Sequence, residues 1–249
     1  MSSKVAIPDD SIEYLLTRND RTVRKKFLSR IYSEWAQLLL DYCGPTGLSI
    51  EIGASNPIVK RLLDRENVLG LDVVYSPMIA LQGDATNLPF TQNSVSNFLS
   101  IDTLHHLPDA QLFFSEVSRT LVENGRLVLI EPWSNQWSRF IYRRLHTEPF
   151  LPTADWKTVG DGPMTRANLA LPWIVLDRDR ELFRDRFREL RIVSINPLMP
   201  LSYVVSGGAR LNFGLPGFLF PIFRRIEQFF EHRGIGLSAL IVIEKSYEA

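Results

Sequence analysis

Cysteine is nearly absent from this sequence: of 249 residues only Cys43 carries a thiol. An internal disulfide is therefore excluded. With no Cys-x-x-Cys partner there is no cysteine-based zinc site either, and a reducing, cytoplasmic setting is the expectation, with Cys43 as a small core residue. Charge of one sign is also missing, since Lys plus Arg and Asp plus Glu each number 28. A neutral chain has no global field to recruit nucleic acid, and neither an Asn-Pro-Pro-Tyr type of motif nor an extended basic stretch occurs. No apolar run reaches the roughly 18 residues of a membrane span, and the first ten residues have no apolar signal-like stretch. Transmembrane and secreted readings are disfavoured on those grounds. Repeats and low-complexity tracts are lacking as well.

What is present is an ordinary globular composition, 45% apolar and 22% charged, enough for one substantial core. Between Arg21 and Tyr42 the residues Val23, Phe27, Ile31, Trp35, Leu38, Leu39 and Tyr42 recur at helical spacing. Gly44-Pro45-Thr46-Gly47 then breaks the chain. Short apolar runs at 48–52, 68–74, 80–82, 95–101, 126–130, 190–195 and 237–243 read as strands. Helices are expected over 58–63, from Asp109 as a cap through Leu121 with Gly125 as the stop, and over 177–187. Such alternation specifies an α/β fold with a mostly parallel sheet covered on both faces. Only residues 75–79 link the second and third strands, so a bare loop must cross there.

Leu48-Ser49-Ile50-Glu51-Ile52-Gly53 ends an apolar run in an acid and a glycine, and Asp72 stands at the tip of the next strand about 20 residues on. That layout suits a nucleoside cofactor. The turn Gly53-Ala54-Ser55-Asn56-Pro57 lacks the further glycines of a pyrophosphate-binding fingerprint, which disfavours a nicotinamide-dependent oxidoreductase.

Five segments in order carry a more specific resemblance: Glu51-Ile52-Gly53, Gly70-Leu71-Asp72, Gly83-Asp84-Ala85-Thr86-Asn87-Leu88-Pro89-Phe90, Ser100-Ile101-Asp102-Thr103-Leu104-His105-His106-Leu107, and Glu123 through Pro132. Together, over residues 46–132, they resemble the class I S-adenosylmethionine-dependent methyltransferases, type 11 set. The resemblance implies a Rossmann-like fold of seven strands with helices on both faces, and S-adenosyl-L-methionine as cofactor. It implies that Gly53, with Ala54 and Ser55, admits the methionine and ribose portions and that Glu51 orders the loop. Asp72, next to Val73, would accept from the ribose hydroxyls. Asp84 and Ala85 would meet the adenine, and Ser100 and Asp102 would close the near wall. Pro57 departs from the glycine-rich pattern and keeps open an alternative, a catalytically silent methyltransferase-like binding or scaffold domain.

The reading is one domain over 1–249, with an N-terminal helical cap at 1–45, a cofactor-binding half at 46–132, and lid insertions at 133–173 and 197–236. Methyl transfer depends chiefly on alignment in a water-poor site, so a strong catalytic signature is not expected. A hydroxyl acceptor would want a base, for which His105, His106, His146 and Glu148 are candidates, while Glu131 either touches substrate or holds its loop. Adjacent histidines are expected to project in different directions, so no metal site is foreseen. In the first insertion Trp133, Trp137, Phe140, Tyr142, Phe150 and Trp156, interleaved with Arg139, Arg143, Arg144 and Arg166, suit either an acceptor cradle or a small local core. The acceptor is expected to be a small molecule, glycosyl or lipid-linked. In the second, Leu219, Ile222, Phe223, Ile226, Phe229 and Phe230 form one apolar face expected to pack on the core, with peripheral membrane contact through 218–231 as the alternative. Oligomeric state is not legible.

Overall fold

The computed structural model describes residues 22, 24–55, 57–63, 67–158, 160, 162–163, 165–208 and 214–246. Arg21 and Val23 of the first expected helix, Asn56 of the turn and residues 1–20 of the expected cap lie outside that set. Helix α1 is Lys26–Asp41, followed by β1 Ser49–Ile52, α2 Ile58–Leu63, β2 Val68–Asp72, β3 Leu81–Gln82 and β4 Val95–Ile101. A 3-10 turn at Leu104–His106 leads to α3 Ala110–Thr120 and β5 Leu121–Pro132. Then come α4 Gln136–Leu145, α5 Leu171–Trp173 running into a π turn at Ile174–Arg178, α6 Arg180–Arg186 and β6 Leu190–Leu198. The chain continues through α7 Ser202–Val205, a 3-10 turn at Gly217–Leu219, α8 Phe220–Glu231 and β7 Ser238–Lys245.

Seven strands form one sheet in the order β3-β2-β1-β4-β5-β7-β6, parallel except for β7, which runs antiparallel to both its neighbours. Alternation along β5 feeds two cores: Leu127 and Leu129 pack with Phe113, Phe114 and Val117 of α3 and Phe183 of α6, whereas Val128 and Ile130 pack with Phe27, Ile31 and Trp35 of α1 and Phe220 of α8. Each such side chain, fully removed from water, contributes about 1.5–3 kcal/mol. The link between β2 and β3 is a bare loop, closed by a turn in which Ile79 N donates to Ser76 O.

Three expectations are corrected. Helix α3 stops at Thr120, because Leu121 is already extended, and Gly125 lies inside β5 rather than capping the helix. The helix foreseen over 177–187 starts at Leu171 and is interrupted at Asp179, where a π turn ends. The third concerns α8, whose apolar face packs on the core only in part: Leu219 and Phe223 lie against it, while Ile222, Ile226 and Phe229 are exposed and Phe220, Arg224 and Glu227 are buried. The cause is electrostatic. Glu227 Oε1 accepts from the backbone N–H groups of Leu201 and Ser202, and Glu231 Oε1 accepts from Met199 N. Arg224 closes the cluster, at 3.0 Å from Glu227, 2.7 Å from Glu231 and 2.8 Å from Glu34. These backbone donors have to be satisfied once buried, and α8 is rotated to meet them.

Lys245, invisible to pattern reading, is buried at the end of β7. Its ammonium donates to Asn93 Oδ1 and to the carbonyls of Ser118 and Leu121 at the end of α3.

Candidate active site

The carboxyl ends of the parallel strands β1, β2 and β4 open on a cavity of about 280 Å³, at the crevice where open α/β sheets bind ligands. Gly53, Ser55, Asp72, Val73, Asp84, Ala85 and Asp102 line it. Gly53 is required here: its φ is +71°, and a Cβ would lie 2.1 Å from Thr103 Oγ1. Asp72 is held rigidly, Oδ2 accepting from Ser55 N at 2.7 Å and Oδ1 from Val74 N at 2.8 Å. Burial raises its carboxyl above the usual range, and those N–H groups oppose the rise. Asp84 is exposed, and its Oδ1 accepts from both Thr86 N and Thr86 Oγ1.

Three residues expected at the cofactor stand behind the wall. Glu51 lies beneath the loop, accepting from Ile58 N at 2.8 Å and Val59 N at 3.1 Å at the start of α2. Burial pushes its carboxyl up to about 7 against the pull of those N–H groups. Ala54 is buried. Ser100, expected as a wall residue, is buried at 1% exposure and lines neither cavity described here. Pro57 is no obstruction: it is buried outside the wall, and its carbonyl accepts from Arg61 N at the first turn of α2. As the residue before α2, Pro57 owes the helix no N–H donor.

A second cavity, about 440 Å³, is walled by Trp35, Tyr142, Leu169, Tyr203 and Leu237, and ends on His105, His146 and Glu148. Asp102 and His106 line both cavities. Asp102 holds a left-handed φ of +52°, fixed by its N–H to Ile130 O at 2.9 Å. Strained non-glycine backbone of this kind persists only where surrounding structure enforces it. The buried indole N–H of Trp35 has no acceptor among the described residues.

His105 lies between two carboxylates, with Nδ1 2.7 Å from Glu131 Oε2 and Nε2 3.5 Å from Glu148 Oε2. Burial opposes its charge, but the two carboxylates outweigh that and push it up to about 10. A ring held in its protonated form by two carboxylates is a poor base. For Glu148 too, burial is outweighed: His105, with His106 and His146, holds its carboxyl well below the usual range. His106 Nδ1 lies 2.6 Å from the Arg166 carbonyl, which can only accept, so Nδ1 carries a proton and Nε2 is the other ring nitrogen. His146 Nδ1 accepts from Glu148 N. Glu131 touches neither cavity; Oε1 takes the N–H groups of Thr103 and Leu104 at 2.7 and 2.6 Å, so it holds the loop.

The adjacent histidines do not diverge as expected. Their ring centroids are 4.2 Å apart, and ligand atoms of His105, His106 and Glu148 lie within 4.8 Å of one another, a group that could hold a metal ion. The 3-10 turn brings the rings together, which adjacency in sequence does not reveal. A cation there would have to displace the proton of His105.

The aromatic residues of 133–173 divide: Trp133 and Trp156 join the main core, Phe140 is exposed, and Trp137, Tyr142 and Phe150 belong to a small local core. Ile141, Tyr142, Leu169 and Leu237 form its centre, with Trp137 and Phe150 against it. Arg139, Arg143 and Arg144 cover Trp173, Phe150 and Phe140 respectively. Only Tyr142 and Arg166 of the aromatic and arginine set reach a cavity. Cys43 donates to Leu39 O, and burial pushes its thiol up to about 11, which leaves it unreactive.

Residues 43–129 match the model of a family described as a methyltransferase domain. No curated protein matches the chain. Among solved structures, a chain of the complex between the Haloferax volcanii Trm112 methyltransferase activator and a candidate methyltransferase superposes with a TM-score of 0.56 at 14% identity, covering 97% of this chain and 100% of that one. The geranyl diphosphate C-methyltransferase of Streptomyces coelicolor A3(2), solved with Mg2+, geranyl diphosphate and S-adenosyl-L-homocysteine, gives 0.55 at 16% identity over 88% of this chain and 80% of that one. A methyltransferase dependent on S-adenosylmethionine from Thermotoga maritima gives 0.53 at 16% identity, over 94% and 99%. At such identities the likeness is one of fold.

Proposed function

We propose that this chain, a class I S-adenosylmethionine-dependent methyltransferase, methylates a small molecule seated in the second cavity. The observation that carries this reading is the shared wall: Asp102 and His106 belong to both cavities, so a donor in one and an acceptor in the other meet there. The first cavity fits the cofactor. Its carboxylates, Asp72, Asp84 and Asp102, suit a cation, and Gly53 gives the backbone close approach. When bound, the cofactor supplies an electrophilic methyl group on a sulfonium.

Asp72 and Asp84 would hold the ribose and adenine portions, with Ser55, Val73 and Ala85 beside them. His106 Nε2 would take the proton of an acceptor hydroxyl, its Nδ1 being committed to Arg166 O. His105 would not take part as a base; together with Glu131 it positions the 3-10 turn that presents His106. His146 and Glu148 would orient the polar end of the acceptor, and Trp35 offers it an unsatisfied N–H. An apolar wall ending on charged groups fits an acceptor with a hydrocarbon or glycosyl-lipid portion and a polar reacting end. The insertions at 133–173 and 197–236 would serve as its lid, since Tyr142, Leu169, Tyr203 and Val204 come from them. A cytoplasmic location accords with a lone, half-buried thiol.

Calorimetric titration with S-adenosylmethionine and S-adenosylhomocysteine tests the premise. Binding on the order of −8 kcal/mol, micromolar in dissociation constant, is expected. A folded sample that binds neither would favour the silent-domain alternative; binding justifies screening acceptors by methyl transfer.

A further inference from the structure

The outward face of α8 consists of large apolar side chains in water. Ile222, Ile226 and Phe229 are 56%, 48% and 57% exposed, and Phe218 in the turn before the helix is 74% exposed. They lie at helical spacing on one stripe, the side opposite the buried Arg224, Glu227 and Glu231 cluster. Both acids of the helix are thereby consumed internally. The charge left outside is positive: Arg225 and Arg233 are exposed, the Arg233 guanidinium lying 3.6 Å from the centroid of the Phe229 ring. Beside the Phe218 turn, α1 adds the exposed Lys26 and Arg30; Gly217 abuts Lys26, and Phe27 packs edge-on against Phe220 and Phe223. Glu34, also on α1, is paired with Arg224.

We propose that this face docks the protein on a lipid bilayer carrying anionic headgroups. Phe218, Ile222, Ile226 and Phe229 enter the headgroup and acyl boundary, while Arg225, Arg233, Lys26 and Arg30 meet phosphates around them. Charge complementarity selects this occupant. A second copy of the chain, placed face to face by a two-fold axis, would set the same arginines against each other. A surface of negative phosphates over hydrocarbon satisfies both the cationic rim and the apolar stripe. No helix among the described residues is long and apolar enough to cross a membrane, so the contact is interfacial. This inference does not depend on the methyl-transfer reading.

Flotation of the full chain with vesicles of phosphatidylcholine alone, and of phosphatidylcholine containing phosphatidylglycerol, tests it. The protein is expected to float with the anionic vesicles, to do so less as salt is raised, and to remain largely behind with the neutral ones. The double variants Ile226→Asn with Phe229→Asn, and Arg225→Glu with Arg233→Glu, are each expected to lower the bound fraction about tenfold or more. All four positions are exposed, so circular dichroism and thermal melting should match the parent. A folded parent that floats with neither vesicle overturns the proposal. So does equal flotation of parent and both variants, or a self-association through this face that leaves the vesicles unbound.

Discussion

Glu131 Oε2 lies 2.7 Å from His105 Nδ1, with the carboxylate wholly buried and the imidazole at 2% exposure. The other oxygen of Glu131 holds Thr103 N and Leu104 N, so one side chain at the end of β5 fixes the turn that follows β4. Of the two residues common to both cavities, Asp102 precedes that turn and His106 ends it. Replacing Glu131 by Gln keeps the volume but sets an amide against an imidazole and leaves a buried cation half compensated. A loss of about 3–5 kcal/mol is expected, measured by urea unfolding; a change under about 1 kcal/mol would remove Glu131 from the positioning role.

The raised pKa of His105 gives a direction to stability against pH. Its folded value, about 10, exceeds the ordinary 6.5, so its contribution is complete below 6.5 and is lost as pH rises through 10. The difference in melting temperature between the parent and His105→Asn should therefore be largest near neutrality and shrink toward alkaline pH. A difference that grows with pH would contradict the protonated ring.

Asp72 and Asp84 are predicted to be unequal. Asp72 is buried and fixed by two backbone N–H groups, whereas Asp84 is exposed and shared with Thr86. Asp72→Ala should weaken S-adenosylhomocysteine binding by about 10- to 100-fold, as for loss of a charged hydrogen bond of roughly 1.5–3 kcal/mol, and Asp84→Ala by less. Calorimetry decides the order.

Once an acceptor is in hand, His106→Gln should lower kcat by about 10²- to 10⁴-fold if it removes a proton from a hydroxyl. His146→Ala should act mainly on KM. Equal kcat for parent and His106→Gln would show that the acceptor arrives already deprotonated or needs no base.

The rotation of α8 is testable by contrast. Glu227→Ala leaves Arg224, Leu201 N and Ser202 N short of a buried partner and should cost about 3–5 kcal/mol, while Ile226→Ala, at an exposed site, should stay within about 0.5 kcal/mol. A conventional apolar-inward helix would show the reverse.

Periodicity alone located most strands and helices, because a period of two or 3.6 survives wherever one face is buried, as at Phe27, Ile31 and Trp35 of α1. Two residues that line the first cavity were equally legible: a glycine where a Cβ cannot fit and an acid at a strand tip are local requirements written into the chain at Gly53 and Asp72. Sequence could not disclose what depends on partners far along the chain. Ser100 was expected at the site through the family resemblance and Glu131 because it ends a strand at the crevice, yet side-chain alternation and a buried histidine drew both inward. The amphipathic pattern of α8 predicted its whole apolar face inward; Leu219 and Phe223 do pack on the core, but Glu227, which takes the N–H groups of Leu201 and Ser202, occupies the inner side and leaves Ile222, Ile226 and Phe229 in water. The same holds for the pairing of the His105 and His106 rings and for Asp102 and His106 serving two cavities at once. Thus the sequence by itself determined the sheet, its order of elements and the acid-bearing loops, through local conformational preference and burial. Only the tertiary structure decided which charges are neutralised, which apolar face meets water and where the two cavities join, because those outcomes depend on satisfying buried polar groups between segments distant in the chain.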